Sequence, residues 1–200
     1  MAASKQEQYK ERYKAEMTPW DTGKPDFNLV DLLTKRPIEK GKALDVGCGS
    51  GHNSIWLAQH EFSVTGVDVS EIALEKAKEN ASRENVKCTF LLLDFFEKDV
   101  PGLPFNFILD RGCFHSYDSD DERKKFGERV AYHLNEAGLW FALIGSNDEL
   151  PGRPGPPKRS ARDVVVTVEP FFEILSLTAT HFDSNRQNSP KAWACLMKKR

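Results

Sequence analysis

Residues 43–54, ALDVGCGSGHNS, constrain the fold of this 200-residue chain more than any other stretch. An apolar run with an acid inside it leads into Gly47, Gly49 and Gly51, which alternate with Cys48 and Ser50, and a helical pattern follows. Strand, glycine turn and helix in that order are how an α/β fold builds a nucleotide-sized ligand site. Glycine lets the backbone turn sharply and approach a ligand with no Cβ in the way. Asp45 lies within the strand, where a carboxylate is costly unless something hydrogen-bonds it. That suggests a ligand carrying positive charge. The spacing is G-x-G-x-G, one place short of the G-x-G-x-x-G dinucleotide fingerprint, so pyrophosphate fits less well.

Seventeen residues after Gly51 comes Asp68, at the tip of the apolar run 62–67. An acid there is placed to accept both hydroxyls of a ribose. A third apolar run, 90–93, ends in Asp94, Phe95 and Phe96, an acid for an adenine amino group with rings to cover the base. Taken together, LDVGCGSG, VTGVDVS and LLLDFF resemble the first motif, the ribose-binding acidic loop and the adenine-binding segment of the class I S-adenosylmethionine-dependent methyltransferases. The resemblance implies an α/β, Rossmann-like seven-stranded sandwich, its sheet mostly parallel with an antiparallel last strand. S-adenosylmethionine would be the cofactor and S-adenosylhomocysteine the product. Cofactor contacts are implied for Asp45, Gly47, Cys48, Gly49, Gly51 and Asn53, for Asp68 and Val69, for Asp94 and Phe95, and for Asp110 and Arg111 after the fourth strand.

The length suits one α/β domain over 1–200, with an N-terminal helix and loop in 1–35 and the Rossmann-like core in 42–200. With 28 basic and 30 acidic residues the net charge is −2, so no overall basic field gathers nucleic acid. Cys48, Cys88, Cys113 and Cys195 are scattered without a C-x-x-C pair, as reduced thiols of a cytoplasmic protein would be, and no metal site is expected. No apolar run approaches the roughly 18 residues that span a bilayer, and the amino terminus is polar. Nothing fixes the oligomeric state, for which a monomer is the default.

Ser4 to Glu7 has the form of a capping box, and Tyr9, Tyr13 and Met17 follow at four-residue spacing along a charged helix. Such a helix could lie over the ligand site as a lid or pack on its rim. The next loop, MTPWDTGKPD, carries Trp20, which could simply anchor it. This decapeptide also resembles the segment before the first motif in thiopurine and plant halide/thiol methyltransferases. That likeness implies a binding role for Trp20, and less directly for Asp21 and Gly23. Helices are expected over 27–35, with Phe27, Val30 and Leu33 inward, over 52–60 with its amino end toward the ligand, and after Ser70, where Ala73, Ala77 and Ala81 form a small-residue face. His52, in the first turn of its helix, could touch a ligand carboxylate or simply face solvent.

The strand 105–110 opens into Asp110-Arg-Gly-Cys-Phe-His-Ser-Tyr117, at the carboxyl end where an acceptor would meet the methyl group. D-R-G-C-F-H resembles a stretch of bacterial small-molecule methyltransferases, and neither an N/D-P-P-Y motif nor a Pro-Cys pair is present. A small acceptor is expected from this, with sulfur as its named kind. Catalytic roles are expected for His115, as a base or an orienting group, and for Asp110. The alternative for His115 is a structural histidine, for Arg111 a surface ion pair, and for Cys113 a lining residue, since direct methyl transfer needs no nucleophile. Another capping box at Ser119 starts a helix with Phe126, Val130 and Leu134 inward. A strand follows over 139–144, and then a long Pro-rich loop, 145–160, that could be a lid. Lys158, Arg159 and Arg162 make a local basic cluster, 164–168 is ambiguous between helix and strand, and 171–178 with 191–198 form a final hairpin. The expected function is methyl transfer to a small thiol or other sulfur, selenium or tellurium acceptor. The competing functions are a protein or RNA methyltransferase landing on the 158–162 loop, a non-catalytic cofactor-binding module, and a nicotinamide oxidoreductase.

Overall fold

The computed structural model describes residues 5–149, 152, 155–185 and 187–200. Two helices, α1 (Lys5–Lys14) and α2 (Phe27–Lys35), precede the first strand, β1 (Lys42–Val46). Helices and strands then alternate: α3 (His52–Gln59), β2 (Ser63–Asp68), α4 (Glu71–Arg83), β3 (Thr89–Leu92) and β4 (Phe105–Arg111). A 3-10 turn, Phe114–Ser116, leads to α5 (Asp120–His133), β5 (Leu134–Gly145), α6 (Ala161–Val168), β6 (Phe172–His181) and β7 (Lys191–Lys199).

The seven strands form one sheet in the order β3-β2-β1-β4-β5-β7-β6, in which only β7 runs antiparallel to its neighbours. This is the mostly parallel sheet with an antiparallel last strand that the sequence predicts. Side chains alternate across the sheet. Ile108 and Trp140 face Phe126, Val130, Val164 and Val168 of α5 and α6, while Phe107, Leu109 and Phe141 face Leu29 of α2 and Leu57 of α3. Each such fully buried side chain contributes about 1.5–3 kcal/mol. The chain winds outward in both directions from the adjacent pair β1 and β4, and in such a sheet the crevice outside the carboxyl ends of that pair receives ligands.

Local signals set most element ends. Asp26 caps α2, Ser70 caps α4, and Ser119 with Glu122 makes the predicted capping box of α5. The predicted box at Ser4 lies outside the described residues. Three expectations are corrected and one open alternative is resolved. Met17 falls beyond the end of α1 and is exposed, because the helix stops at Lys14. The inner face of α2 is Asn28 and Leu29, not Phe27. Asn28 is drawn in because its amide meets Asp26 Oδ1 at 2.8 Å and the His181 carbonyl at 3.0 Å, and it accepts from Thr180 at 2.6 Å. Strand β5 begins at Leu134, directly after α5, since Leu134 already pairs with Phe105. Residues 164–168 are helical: a second capping box, Ser160 with Asp163, and the burial of Val164 and Val168 one turn apart outweigh the β-branched preference.

Candidate active site

The carboxyl ends of β1 to β4 open onto a cavity of about 760 Å³, within the range of small-molecule sites. Its walls are α1, the loop 19–26, the glycine turn, Asp68 and Val69, residues 93–96 and the loop 111–118, with 155–157 and 182–184 reaching over it.

The glycine turn has φ of +67°, +55° and +82° at Gly47, Gly49 and Gly51. A Cβ on Gly47 would strike Cys113 Sγ, and one on Gly49 would lie 2.6 Å from the Tyr13 hydroxyl. Those two glycines let the opposite sides of the cavity meet. Gly51 does something else: its Cβ would lie 2.9 Å from Ala77 Cβ and 3.0 Å from the Phe90 ring, so it allows α3 to start tight against α4 and is off the cavity wall. Asp45 is also off the wall. The buried carboxylate accepts from Ser54 Oγ at 2.6 Å, and burial raises its pKa to about 6. The acid in the strand is therefore answered from within the fold, one turn into α3, and the inference of a cationic ligand from its burial falls.

Asp68 does face the cavity. One of its oxygens accepts from Gly49 N at 2.9 Å and the other from Ser70 N at 2.8 Å, and burial raises its pKa in spite of these bonds. Each carboxylate oxygen has a further lone pair. Val69, Cys48, Asn53 and Asp94 also line the cavity. Asn53 Oδ1 accepts from Asp26 N at 2.8 Å, tying the start of α3 to the N-terminal loop. Phe95 touches the cavity but packs edge-on to Phe126 in the core, with centroids 5.3 Å apart. The flat aromatic wall is Phe96, stacked on Tyr117 at 4.6 Å.

Across the cavity, Asp110 is fully buried behind the loop. Its two oxygens accept from Cys113 N at 2.6 Å and Phe114 N at 3.0 Å, starting the 3-10 turn, and burial lifts its pKa to about 7. It thus shapes the loop from behind instead of lying at the ligand, as the sequence suggested. Arg111 is neither a surface ion pair nor a free cation. Its Nε donates to Asp26 Oδ2 at 2.6 Å, Nη2 to the Asp183 carbonyl at 2.6 Å and Nη1 to the Trp20 carbonyl at 3.4 Å, with the Phe182 ring 5.3 Å away. His115 is 3% exposed and lines the cavity. Gly145 N–H donates to its Nδ1 at 2.8 Å, and burial, with the charges of Arg159 and Arg111, lowers its pKa to about 3. Cys113 lines the cavity too, its thiol held well above the usual pKa by burial and donating to the Val46 carbonyl at 3.5 Å.

The N-terminal segment closes onto these walls. Trp20 Nε1 donates to the Tyr13 hydroxyl at 3.3 Å, and its ring meets Tyr9 and Tyr13 edge-on at 5.6 and 6.1 Å. Ser116 Oγ donates to the Gly112 carbonyl at 3.0 Å, which leaves the Tyr9 hydroxyl to donate to Ser116 at 3.1 Å. Trp20 is thus both an anchor and a wall. Ser50 donates to Asp21 at 2.7 Å, which also lies 3.7 Å from His52, whereas Gly23 is off the wall. Lys158, Arg159 and Arg162 are off the wall as well, Arg159 being turned in to the Tyr117 carbonyl at 2.6 Å. Of the wall residues that the sequence reading missed, Tyr9 and Tyr13 left a signal in their four-residue spacing and Tyr117 in its place within the 110–117 loop. Phe182 and Asp183 left none.

Among the described residues no group of three or more His, Cys, Asp or Glu is placed to hold a metal, and no helix is long and apolar enough to cross a membrane. A family model described as a methyltransferase domain matches residues 43–138. The chain is 30% identical over 172 residues to a probable thiol methyltransferase 2 of Arabidopsis thaliana, covering 84% of this chain and 75% of that protein. It is 42% identical over 158 residues to thiocyanate methyltransferase 1 of Brassica oleracea, covering 76% of this chain and 68% of that protein. The fold matches, with a TM-score of 0.83 over 97% of this chain and 92% of the other, a structure solved in work on the conversion of a disulfide bond into a thioacetal group during echinomycin biosynthesis, at 24% identity. With the sheet order, the cavity at its switch point and relatives that share most of its length, this chain belongs to the class I S-adenosylmethionine-dependent methyltransferases.

Proposed function

We propose that the chain moves the methyl group of S-adenosylmethionine to a small sulfur-type acceptor, a thiol or a thiocyanate-like anion. The observation that carries this reading is its likeness, over three-quarters or more of its length, to relatives named for thiol and thiocyanate methylation. The residues present fit the cofactor. Asp68 presents its carboxylate on the cavity wall at the end of β2, as an acceptor for ribose hydroxyls. Asp94 supplies an acceptor for the base, and Phe96 with Tyr117 a flat face beside it. The amino end of α3 supplies backbone N–H groups for a carboxylate, the glycine turn bringing it up to the cavity. The cofactor, when bound, supplies a methyl group that is already activated. The chain's own part is to align the acceptor with it and to exclude water. The N-terminal segment, with Tyr13 buried over the glycine turn, serves as the lid of this single domain.

The test is methyl transfer from radiolabelled cofactor to thiols, thiocyanate, halides, selenium and tellurium oxyanions and amines, beside calorimetry for the cofactor. A labelled sulfur product supports the reading. Cofactor binding with label only in amines, protein or RNA, or with no product at all, would overturn it.

A further inference from the structure

We infer that His115 is a fixed hydrogen-bond donor for an anionic acceptor, so that the nucleophile must arrive already ionised. This rests on the proposed methyl transfer to a small acceptor and names the charge state of that acceptor. A backbone N–H can only donate, so the 2.8 Å bond from Gly145 makes Nδ1 an acceptor. A neutral imidazole carries one proton, which therefore sits on Nε2. The ring is all but buried and lines the cavity, yet Nε2 meets no hydrogen-bond partner among the described residues. Nε2 is not among the buried polar atoms that lack a partner: the ring is on the cavity wall and this donor opens onto the cavity, toward whatever enters it.

The charges acting on the ring are both positive, Arg111 from the end of β4 and Arg159 from the loop after β5, each of them also paired with a carboxylate, Asp26 at 2.6 Å and Asp118 at 3.4 Å. Cys113, in the same loop, is kept as a thiol by burial. The Tyr9 hydroxyl, on α1, has its pKa raised by burial and is bonded to Ser116. Phe182, from the segment after β6, lays its ring against the histidine edge-on at 5.8 Å, and the next residue, Asp183, pairs with Lys24 at 3.5 Å. Asp110 lies behind the loop with both oxygens engaged. His115 cannot take a proton from a neutral acceptor, because Nδ1 is spent and Nε2 is already protonated, and the carboxylates on this side of the cavity are engaged, Asp118 with Arg159, Asp183 with Lys24 and Glu122 with Ser119. The proton is therefore lost to solvent before binding. The lone pair of a thiolate then forms the new S–C bond while the pair of the broken C–S bond leaves with S-adenosylhomocysteine. A cationic sulfonium and an anion give two neutral products.

The experiment uses the full chain, ¹⁵N-labelled at histidine and loaded with S-adenosylhomocysteine, with thiocyanate as probe. The His115 ring should show a protonated Nε2 and an unprotonated Nδ1 throughout about pH 5 to 9, and thiocyanate should shift the Nε2 signal. In steady state, the ratio of kcat/KM for a simple thiol to that for thiocyanate should follow the thiol's own ionisation, near about pH 8.5. Taking the ratio removes any titration of the enzyme itself, including that of Asp110. His115→Gln, which keeps an N–H donor, should bind thiocyanate within about threefold of wild type, while His115→Leu should lose about tenfold or more, with cofactor affinity unchanged in both. A proton on Nδ1, a Nε2 signal that ignores thiocyanate, or a histidine-like break in the ratio that His115→Gln abolishes would each overturn the inference. The first two readouts need no turnover, so a failure to find any sulfur product would count against the proposed reaction and leave this result standing or falling separately.

Discussion

The wall formed by the ends of β1, β2 and β3 uses residues within a few positions of a strand end, whereas the opposite wall is stitched from segments far apart in the chain. On the first, Asp68, Asp94 and the glycine turn are set by local backbone, and their partners Gly49 and Ser70 lie 19 and 2 residues from Asp68. On the second, Arg111 reaches Asp26 across 85 residues and Asp183 across 72, and Tyr9 reaches Ser116 across 107. The first wall is proposed to hold the cofactor, which is common to the family, and the second the acceptor, which is not. A wall fixed by local backbone is hard to vary, while a stitched one can change a partner at a time.

The largest effect is expected where a stitch is cut. Arg111→Ala leaves the Asp26 carboxylate buried beside Asn28 without its cation, and loss of one partner of a buried pair costs about 3–5 kcal/mol. Thermal or urea unfolding measures this; a loss below about 1 kcal/mol would show that the second wall does not depend on that contact. Next comes Asp68→Ala, predicted to weaken cofactor binding about 10- to 100-fold through hydrogen bonds to a charged acceptor, with acceptor KM unchanged. If calorimetry found the cofactor unaffected while the acceptor suffered, the division between walls would be reversed.

The third prediction concerns pH. The native His115 pKa, about 3, lies below the unfolded value near 6.5, so its stability contribution is present above about pH 6.5 and is lost as pH falls toward 3. Asp110, raised to about 7, acts in the opposite sense: its native carboxyl keeps a proton that the unfolded chain has released, so stability is lost as pH rises from about 4 to 7. His115→Gln removes only the first. Between pH 7 and pH 5 its stability should therefore gain on wild type by about 2 kcal/mol in paired urea titrations, and a constant difference would mean that the native ring titrates normally. Smallest is Tyr9→Phe, which gives up one bond to Ser116 and should cost about 0.5–1.5 kcal/mol while raising acceptor KM more than cofactor Kd.

The same contrast explains what could be read without coordinates. The glycine turn and the positions of Asp68 and Asp94 at strand ends follow from short patterns in which each residue's place is decided by its neighbours. Asp45 and Asp110 show where that stops. A carboxylate at a strand end looks alike whether it meets a ligand, a serine one turn into the next helix or two backbone N–H groups of its own loop, and only the structure separates these cases. Phe182 and Asp183 sit in a segment with no motif, and their place on the wall is decided by the β6–β7 pair and by Arg111. His115 was visible as a candidate, but the atom that settles its chemistry is the Gly145 amide, 30 residues away.

The Arg111 contacts also have a polymer consequence. In an unfolded chain, closing loops of 72 and 85 residues is entropically unfavourable. In the folded protein the sheet and α2 have already brought the ends together, and the contacting residues lie in short segments, 15–26 before α2 and 182–185 after β6. Parting the proposed lid would therefore involve the entropy of two short loops instead of two long ones, with all seven strands left paired.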